Sequence, residues 1–535
     1  MKFLLKNIFI IVVIFISLAS VKSDSVGSEC PFEDCFCNVN TKENNSLSIV
    51  CYGNNVRNVF PKRLNNNQTY IKNLLLVSFD IKTIPDDAFD NLFIEYLYFN
   101  QNNLEKLGKN TFRGIKRLTK LRIDEHKLTS IETNAFDVIA NTVTELDLAN
   151  SALTNSRFNE LKEFFKLNKV TDLNLSGNDL TGFEIAWANA FPNLVTLNMA
   201  RNNLNNFDEN VFKTLKQLTL LDISYNHFYK LTQVFYFIKP IQSTLTSLSL
   251  SGNSIENLID FPRFDSLLYL DLSQNNIQGI NENSFSSLKP LIRLILDDNK
   301  INKIDAKAFS ANTNLINLYL AKNQLTQAPT ITNLDFLRYI DLSDQQEGVL
   351  LITDNSFDRV NPTAGLSINL HGNVITNYGY KSFCSVSSDK SGIRNIDMSY
   401  YSAVLLNKCI MKQLSPINSI PETTITIEST GINDFDYSKV CNCKTHAFLK
   451  YFKIRLAGVC DLYTSSCNET FIDDCAGKTE FMCKSSETTT HPITTTTYTP
   501  ITRTSTYLNP NKASRLFSES YLFLIIAFFN LIKIF

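Results

Sequence analysis

Apolar and polar residues follow one pattern that recurs through the middle of this 535-residue chain. The pattern, L-x-x-L-x-L-x-x-N-x-L, is clear in LVTLNMARNNL from Leu194 and in LLYLDLSQNNI from Leu267. Self-similarity at a period of this length indicates a solenoid of stacked repeats. Fifteen copies occur 22 to 29 residues apart, and they start at Ile71, Ile94, Leu118, Val143, Val170, Leu194, Leu218, Leu245, Leu267, Leu291, Leu315, Leu337, Gly365, Ile393 and Glu422.

Each copy predicts a short β-strand, because side chains alternate between the two faces of a strand. The fourth and sixth positions, such as Leu197 and Met199, then enter the core together, and the fifth position points to solvent. One copy cannot bury its apolar side alone, so the copies must stack and the two ends must be capped. The pattern therefore predicts a solenoid with about fifteen repeats and one strand in each.

The ninth position of the repeat is most often asparagine. Its side-chain amide both donates and accepts, which suits a buried ladder that satisfies the backbone groups of a tight turn. Nine copies have it, at Asn102, Asn178, Asn202, Asn226, Asn253, Asn275, Asn299, Asn323 and Asn373. After Leu337 the pattern weakens, so we expect less regular geometry there. Gln345, Tyr401 and Thr430 stand in place of the ninth-position asparagine, and Gly365 and Glu422 stand in place of the first leucine.

A second phased feature is phenylalanine, preceded by a small or β-branched residue, in the later part of most copies. Such a stripe could form a lipid or cofactor box, but regular core packing on the side opposite the strands is the favoured interpretation. The residues are Phe89, Phe112, Phe136, Phe191, Phe212, Phe285, Phe309, Phe357 and Phe383.

The N-terminus predicts export. Lys2 and Lys6 precede an apolar stretch at residues 8–18, and Val21 and Ser23 have the spacing of a signal-peptidase site. The stretch is shorter than the roughly 20 residues that a spanning helix needs, so we expect cleavage after Ser23. Export makes disulfides the expected state of the 12 cysteines.

Charge and histidine content exclude several functions. The 51 Lys and Arg balance 52 Asp and Glu, which provides no electrostatic footprint for nucleic acid. The five histidines fall in no recognisable catalytic motif. The aspartates at the fifth repeat position could pair as catalytic carboxylates, but they are ordinary choices for a solvated position: Asp147, Asp222, Asp271, Asp341 and Asp397. We therefore expect no enzyme activity, no cofactor and no metal site.

With cysteine clusters at both ends, these repeats resemble the extracellular leucine-rich-repeat family over roughly residues 30 to 483. The resemblance implies an α/β solenoid in the form of a right-handed horseshoe, with a parallel sheet on its concave side and short helices, 3₁₀ turns or loops outside. CPFEDCFC and CNCKTHAFLKYF resemble the terminal caps of that family, which implies the pairs Cys30–Cys37, Cys35–Cys51, Cys441–Cys460 and Cys443–Cys483. Cys467 with Cys475 and Cys384 with Cys409 are further candidate pairs. Zinc bound by the C-x-C motif and His446 is the alternative.

The C-terminal region predicts a stalk and an anchor. In residues 484–506, 14 of 23 are Ser or Thr, which indicates an extended O-glycosylated stalk or a plain disordered linker. The apolar residues 521–535 have the form of a glycolipid-anchor signal with attachment at Asn511, and a spanning helix from near Leu516 is the alternative. The predicted domains are a signal peptide (1–23), an N-terminal cap (24–70), the repeats (71–440), a C-terminal cap (441–483), the stalk (484–510) and the anchor signal or membrane segment (511–535).

Strand residues that flank the core leucines predict a broad binding surface. Fifteen strands at about 4.8 Å spacing make an arc of roughly 70 Å, which suits a large partner. Tyr and Arg are enriched in interface hot spots, although a solvated sheet face whose tyrosines merely suit strands is the alternative. The residues that we expect to bind are Tyr225, Tyr269, Asp271, Arg293, Asp297, Tyr319, Arg338 and Tyr339.

Four N-glycosylation sequons occur, at Asn44, Asn67, Asn174 and Asn468. Asn174 occupies the fifth position of its repeat, so a glycan there would stand on the concave face. It would obstruct partners towards the N-terminal half. The tyrosine-bearing half is therefore the expected open surface.

Two functions remain from different classes. The first is a cell-surface recognition or adhesion protein for an extracellular protein partner, similar to glycolipid-anchored leucine-rich-repeat adhesion proteins of animals. The second is an innate-immune pattern-recognition protein or co-receptor for microbial products such as glycans, and a soluble carrier is a weaker third. The expected location is the outer face of the plasma membrane, or the extracellular space if the tail is not an anchor. A dimer stays open.

Overall fold

In the computed structural model, each of the fifteen predicted repeats contributes one strand to an 18-stranded sheet. The described residues lie in Met1–Ser486, one of the two compact units of the chain. They are residues 30–33, 35–40, 46–52, 60–62, 69–77, 80–86, 88–100, 102–124, 128–331, 334–346, 349–354, 356–357, 365–375, 378–379, 383, 393–399, 423–428, 449–450 and 453–458.

The repeat strands pair in parallel, each with the next along the chain. The fourth-position residue of every copy lies beside that of the next copy, without a slip from Leu74 to Ile425. The predicted phase and fold class are thereby confirmed. The strands are Thr69–Val77, Leu92–Asn100, Lys120–Asp124, Glu145–Asp147, Asp172–Asn174, Thr196–Asn198, Leu220–Asp222, Ser247–Ser249, Tyr269–Asp271, Arg293–Ile295, Asn317–Tyr319, Tyr339–Asp341, Leu366–Leu370, Ile393–Ser399 and Thr423–Glu428.

The N-terminal end of the sheet is closed by an antiparallel hairpin, Cys35–Asn40 with Ser46–Tyr52, whose second strand pairs with the first repeat. The disulfides that the family resemblance implied, Cys30–Cys37 and Cys35–Cys51, are both present. The hairpin region buries Phe32 and Ile49 against the core. This end therefore carries the expected cysteine cap.

At the other end, one more parallel strand, Ile454–Gly458, follows the last predicted repeat. It lies within the residues that the sequence assigned to the C-terminal cap, so the sheet extends further than the repeat pattern indicated. The cysteines of that cap and the other candidate pairs lie outside the described residues: Cys384, Cys409, Cys441, Cys443, Cys460, Cys467, Cys475 and Cys483.

The ninth-position residues form the expected ladder. The Asn299 amide donates to the carbonyl of Leu272 at 2.9 Å and accepts the N–H of Ile277 at 3.0 Å. Gln345 does the same with its longer side chain, donating to the carbonyl of Leu320 at 2.9 Å. The ladder and the strand register therefore continue through the repeat from Leu337, and the first register shift among the later repeats lies between Leu366 and Ser367.

The side opposite the sheet is built from short elements over an aromatic layer. All nine predicted phenylalanines are at most 3% exposed, and Phe285 stacks on Phe309 with ring centroids 6.2 Å apart. The helices are Asn155–Glu160, Ile185–Ala190 and Leu231–Ile238, with 3₁₀ helices Lys162–Lys166 and Lys239–Ile241. Two short parallel strand pairs accompany them, Lys106–Leu107 with Ser130–Ile131 and Gly279–Ile280 with Lys303–Ile304.

None of the helices among these residues is long and apolar enough to cross a membrane. The predicted signal peptide, stalk and anchor, including Asn511, lie outside the described residues.

Candidate binding surface on the sheet

The third and fifth positions of the repeat project from the side of the sheet away from the leucine core. In the four strands from Tyr269–Asp271 to Tyr339–Asp341, the central residue is buried and both neighbours are half-buried. Parallel register places each such side chain beside its counterpart in the next strand, so Arg293 lies between Tyr269 and Asn317.

Four of these side chains form a continuous chain of contacts across three strands. The Arg293 guanidinium lies 4.6 Å from the centroid of the Tyr319 ring, and the Tyr319 and Tyr339 ring centroids are 5.4 Å apart. The Tyr339 hydroxyl donates to Asp341 Oδ2 at 2.8 Å. Cation–π and aromatic contacts of this kind contribute roughly 0.5 to 2 kcal/mol each. We call Arg293, Tyr319, Tyr339 and Asp341 the sheet-face cluster.

The fifth-position aspartates do more than face solvent, which corrects the sequence expectation. Asp271 Oδ1 accepts the N–H of Ser273 at 2.9 Å, and Asp341 Oδ1 accepts that of Ser343 at 3.0 Å. Asp222 makes the same contact and is only 8% exposed. The carboxylate satisfies a backbone donor as the chain leaves the strand, which is the usual Asx-turn role of this residue type.

Burial makes ionisation of this surface costly. It raises the pKa of Asp222 and of Asp271 above the ordinary aspartate range. Burial also raises the pKa of Asp297 to about 7, with repulsion from Asp341 and Asp271 adding to the effect and the Ala321 N–H and the Arg293 guanidinium opposing it. Asp297 lies just after the strand Arg293–Ile295 and accepts the Ala321 N–H at 2.8 Å.

We expect Asp297→Asn to stabilise the protein at pH 8 and to have little effect at pH 4. A carboxyl whose pKa is raised by folding favours the folded state fully below its unfolded pKa, near 4, and this contribution is lost as the pH rises through about 7. Asparagine keeps the acceptor for Ala321 and removes the charge, so the gain at pH 8 should be about 1 to 4 kcal/mol. Urea unfolding at both pH values measures it.

Asp298→Asn is the matched control, since Asp298 is exposed and asparagine tolerates its left-handed φ of 55°. It should change stability by less than about 0.5 kcal/mol at either pH. An equal effect of Asp297→Asn at pH 4 and pH 8 would contradict the electrostatic explanation.

Three of the eight sequence-predicted residues lie outside the strands: Asp297, described above, Tyr225 and Arg338. Tyr225 belongs to the turn after Leu220–Asp222, where its φ is 51°, and its hydroxyl donates to Gln274 at 3.0 Å. The sequence placed it with the other tyrosines because it occupies a repeat position close to the strand end. Arg338 is exposed and precedes the strand Tyr339–Asp341.

A second cluster on the sheet, in the N-terminal half, was missed by sequence reasoning. Lys120 lies 4.9 Å from the Tyr96 ring centroid and 2.6 Å from Glu145, and Arg122 lies 3.4 Å from Asp147. The sequence signal that could have revealed it is the one that predicted the other surface: aromatic and charged residues at the third and fifth positions of the repeat. The sequon at Asn174 had instead predicted that a glycan obstructs this half.

Asn174 itself is half-buried at the end of its strand, where its Oδ1 accepts the N–H of Ser176 at 3.1 Å. It therefore plays the same turn role as the fifth-position aspartates. The sequons at Asn44, Asn67 and Asn468 lie outside the described residues.

Comparison with known proteins identifies the repeats. A leucine-rich-repeat family model matches residues 168–228, 243–301 and 289–346, and a model of BspA-type leucine-rich-repeat regions matches residues 62–160. Lumican from Bos taurus is 30% identical over 223 residues, which is 40% of this chain and 54% of lumican. Osteomodulin from Rattus norvegicus is 31% identical over 230 residues, 42% of this chain and 51% of osteomodulin. This chain thus spans about half the length of these curated relatives.

Among solved structures, the LRIM1/APL1C complex is similar at 17% identity with a TM-score of 0.43, covering 74% of this chain and 70% of that one. The register of the repeats, the family matches and the N-terminal disulfides together define a class of protein. The described part of the chain is a leucine-rich-repeat solenoid with an N-terminal cysteine cap, and it is similar to extracellular leucine-rich-repeat proteins such as lumican. In the part of the chain described above, no group of three or more His, Cys, Asp or Glu residues is placed to hold a metal ion.

Proposed function

We propose that this protein recognises another extracellular protein through the sheet-face cluster, as a cell-surface recognition or adhesion protein without catalytic activity. The observation that carries the proposal is the contact chain from Arg293 through Tyr319 and Tyr339 to Asp341. Aromatic and Arg side chains dominate binding energy at interfaces, and side chains held in place beforehand lose less entropy on binding.

The composition of the surface favours a protein partner over a small molecule. The cluster is spread over neighbouring strands and its side chains are half-buried, so it presents two tyrosine rings, one guanidinium and one hydrogen-bonded carboxylate over a broad surface. Small ligands usually need concave sites that cover most of their surface. Polar rims with aromatic centres are typical of protein interfaces.

We propose further that a glycolipid at Asn511 holds the protein on the outer face of the plasma membrane. The support is the polar-then-apolar C-terminal sequence. Phosphatidylinositol-specific phospholipase C should release the protein from intact cells. Recovery of a mature C-terminal peptide that ends at Phe535 would instead establish a spanning helix.

A binding screen with the full-length protein displayed on cells tests the function. The probes are multimerised ectodomains of cell-surface proteins and a panel of microbial glycans. The proposal expects a protein hit that is lost on Arg293→Ala and retained on Lys307→Ala, an exposed residue on the opposite side of the solenoid. Hits restricted to glycans, or protein hits that Arg293→Ala leaves unchanged, would contradict it and favour microbial pattern recognition or another surface.

A further inference from the structure

A groove runs along the turns that follow the strands of four neighbouring repeats, from the copy at Leu267 to the copy at Leu337. Its volume is about 290 Å³, and its walls are Gln274, Asn276, Asp298, Lys300, Gln324 and Gln346. We call it the turn-edge groove. It contains none of the residues of the sheet-face cluster.

The repeat creates this groove. Eighth-position residues such as Gln274 and Asp298 adopt left-handed φ angles of 53° and 55°, and tenth-position residues such as Lys300 and Gln324 follow one residue after the asparagine ladder. The two columns form the walls, and the buried ladder residue Asn299 lies between them. The tenth-position side chains therefore recur once per repeat along one wall, at about the 4.8 Å spacing of neighbouring strands, and the eighth-position wall spans the first two of the four repeats.

Backbone groups of the groove are already satisfied. The N–H groups of Lys300 and Gln324 donate to Ile277 and Ile301 of the preceding repeat, both at 2.9 Å. The ladder amide of Asn299 is also fully used, as described above. Recognition must therefore come from the wall side chains.

Those side chains are free to bind. Within the described part of the chain, the side chains of Asn276, Lys300, Gln324 and Gln346 make no hydrogen bond or ion pair with another residue. At the first end of the groove, the Tyr225 hydroxyl donates to Gln274 Oε1, and the Arg201 guanidinium lies over the Tyr225 ring, 4.2 Å from its centroid. Gln274 is thus held in place as the end of a row of polar side chains.

The chemistry of the walls indicates the ligand class. Side-chain amides both donate and accept, which matches the hydroxyl group, itself a donor and an acceptor. The walls carry one carboxylate, Asp298, and one ammonium, Lys300, so they have no net charge to select an ion. The lining has no apolar side chain to hold a lipid or an aromatic ring. The strand spacing is close to the length of one pyranose unit in an extended chain.

We propose that the turn-edge groove binds an extended, neutral oligosaccharide with about one sugar ring per repeat. Cellohexaose and chitohexaose are suitable probes, because both are uncharged and extended, and glucose serves as the monomer control. Titration calorimetry with the purified full-length protein should show binding of at least one hexasaccharide and none of glucose.

The double variant Gln324→Ala/Gln346→Ala should weaken that binding at least tenfold. Asn203→Ala is the matched control, since Asn203 holds the same tenth position in the repeat at Leu194, outside the groove, and should change nothing. Both variants should unfold at the wild-type temperature, because the replaced side chains make no internal hydrogen bond.

Three results would overturn the proposal: neither hexasaccharide binds, the double variant binds as well as wild type, or a heparin hexasaccharide binds in their place with strong salt dependence. Tyr319→Ala separates this site from the proposed protein interface. It should leave oligosaccharide binding unchanged whether or not the sheet-face cluster binds a protein.

Discussion

Replacing Asn299 with alanine should lower the free energy of unfolding by about 3 to 5 kcal/mol. Asn299 is 2% exposed and donates to the carbonyls of Leu272, Leu296 and Asp297, while it accepts the N–H of Ile277. Alanine removes these partners in a place where water cannot replace them, and each buried polar group left alone costs about 1 to 3 kcal/mol. Chemical unfolding of the variant measures the loss.

Asn302→Ala provides the control for this prediction, because Asn302 is exposed and three residues further along the same repeat. It should cost less than about 0.5 kcal/mol. Gln345→Asn should also be mild, since both side chains carry the same amide. If Asn299→Ala and Asn302→Ala unfold alike, the ladder does not stabilise the solenoid in the way that we describe.

Removing the Cys35–Cys51 disulfide by a double alanine substitution should cost about 3 kcal/mol or more. The bond closes a loop of 16 residues, whose constraint on the unfolded chain is worth about 3 kcal/mol. Cys51 is also fully buried, beside the first repeat strand, so its loss leaves a gap in the core. The exposed end of the solenoid should then promote aggregation, which light scattering detects.

The Cys30–Cys37 pair gives a graded comparison, because it closes a loop of only 7 residues. Its removal should cost about 2 kcal/mol by the same chain-entropy relation. Mass spectrometry without reduction should find neither pair as free thiols in the wild-type protein. Wild-type stability in both double variants would show that the cap does not protect the core.

Sequence periodicity predicted the sheet well because the repeat is governed by local rules. Leu197 and its counterparts must be buried in every copy, so a single phase error would expose a leucine. Gln345 shows where the pattern was too strict: its amide reaches the same carbonyls as asparagine, so the substitution did not disturb the repeat. The extra strand Ile454–Gly458 was not predicted because its sequence, IRLAG, has too few leucines to match the repeat pattern.

Aromatic packing on the opposite side was predicted only in part. The phased phenylalanines follow the repeat, but Phe158 packs on Trp187, and Phe207 packs on Phe237, with ring centroids 4.7 Å apart in both cases. Three of these residues belong to or adjoin short helices that occur in only some copies. A fixed period cannot reveal contacts that depend on those helices.

The binding surface was harder to predict than the sheet. The strand phase correctly placed Tyr269, Arg293, Tyr319 and Tyr339 on the solvent side, but the contacts that join Arg293, Tyr319 and Tyr339 depend on side-chain rotamers. Tyr225 was misplaced because the chain turns at the eighth position through a left-handed φ.

The central claim is that the sheet-face cluster binds a protein partner, and the most direct test is the affinity of that partner for two matched sets of variants. Tyr319→Ala, within the cluster, and Tyr269→Ala, beside Arg293 in the neighbouring strand, should weaken binding by about 1 to 4 kcal/mol, the range of interface hot spots. Both variants should remain folded, although Tyr319→Ala also removes the contacts with Arg293 and Tyr339 and should lower the free energy of unfolding by about 1 to 4 kcal/mol. Lys307→Ala, on the opposite side of the solenoid, should leave the affinity unchanged. Normal binding by both tyrosine variants together with weakened binding by Lys307→Ala would contradict the account and move the interface off the sheet.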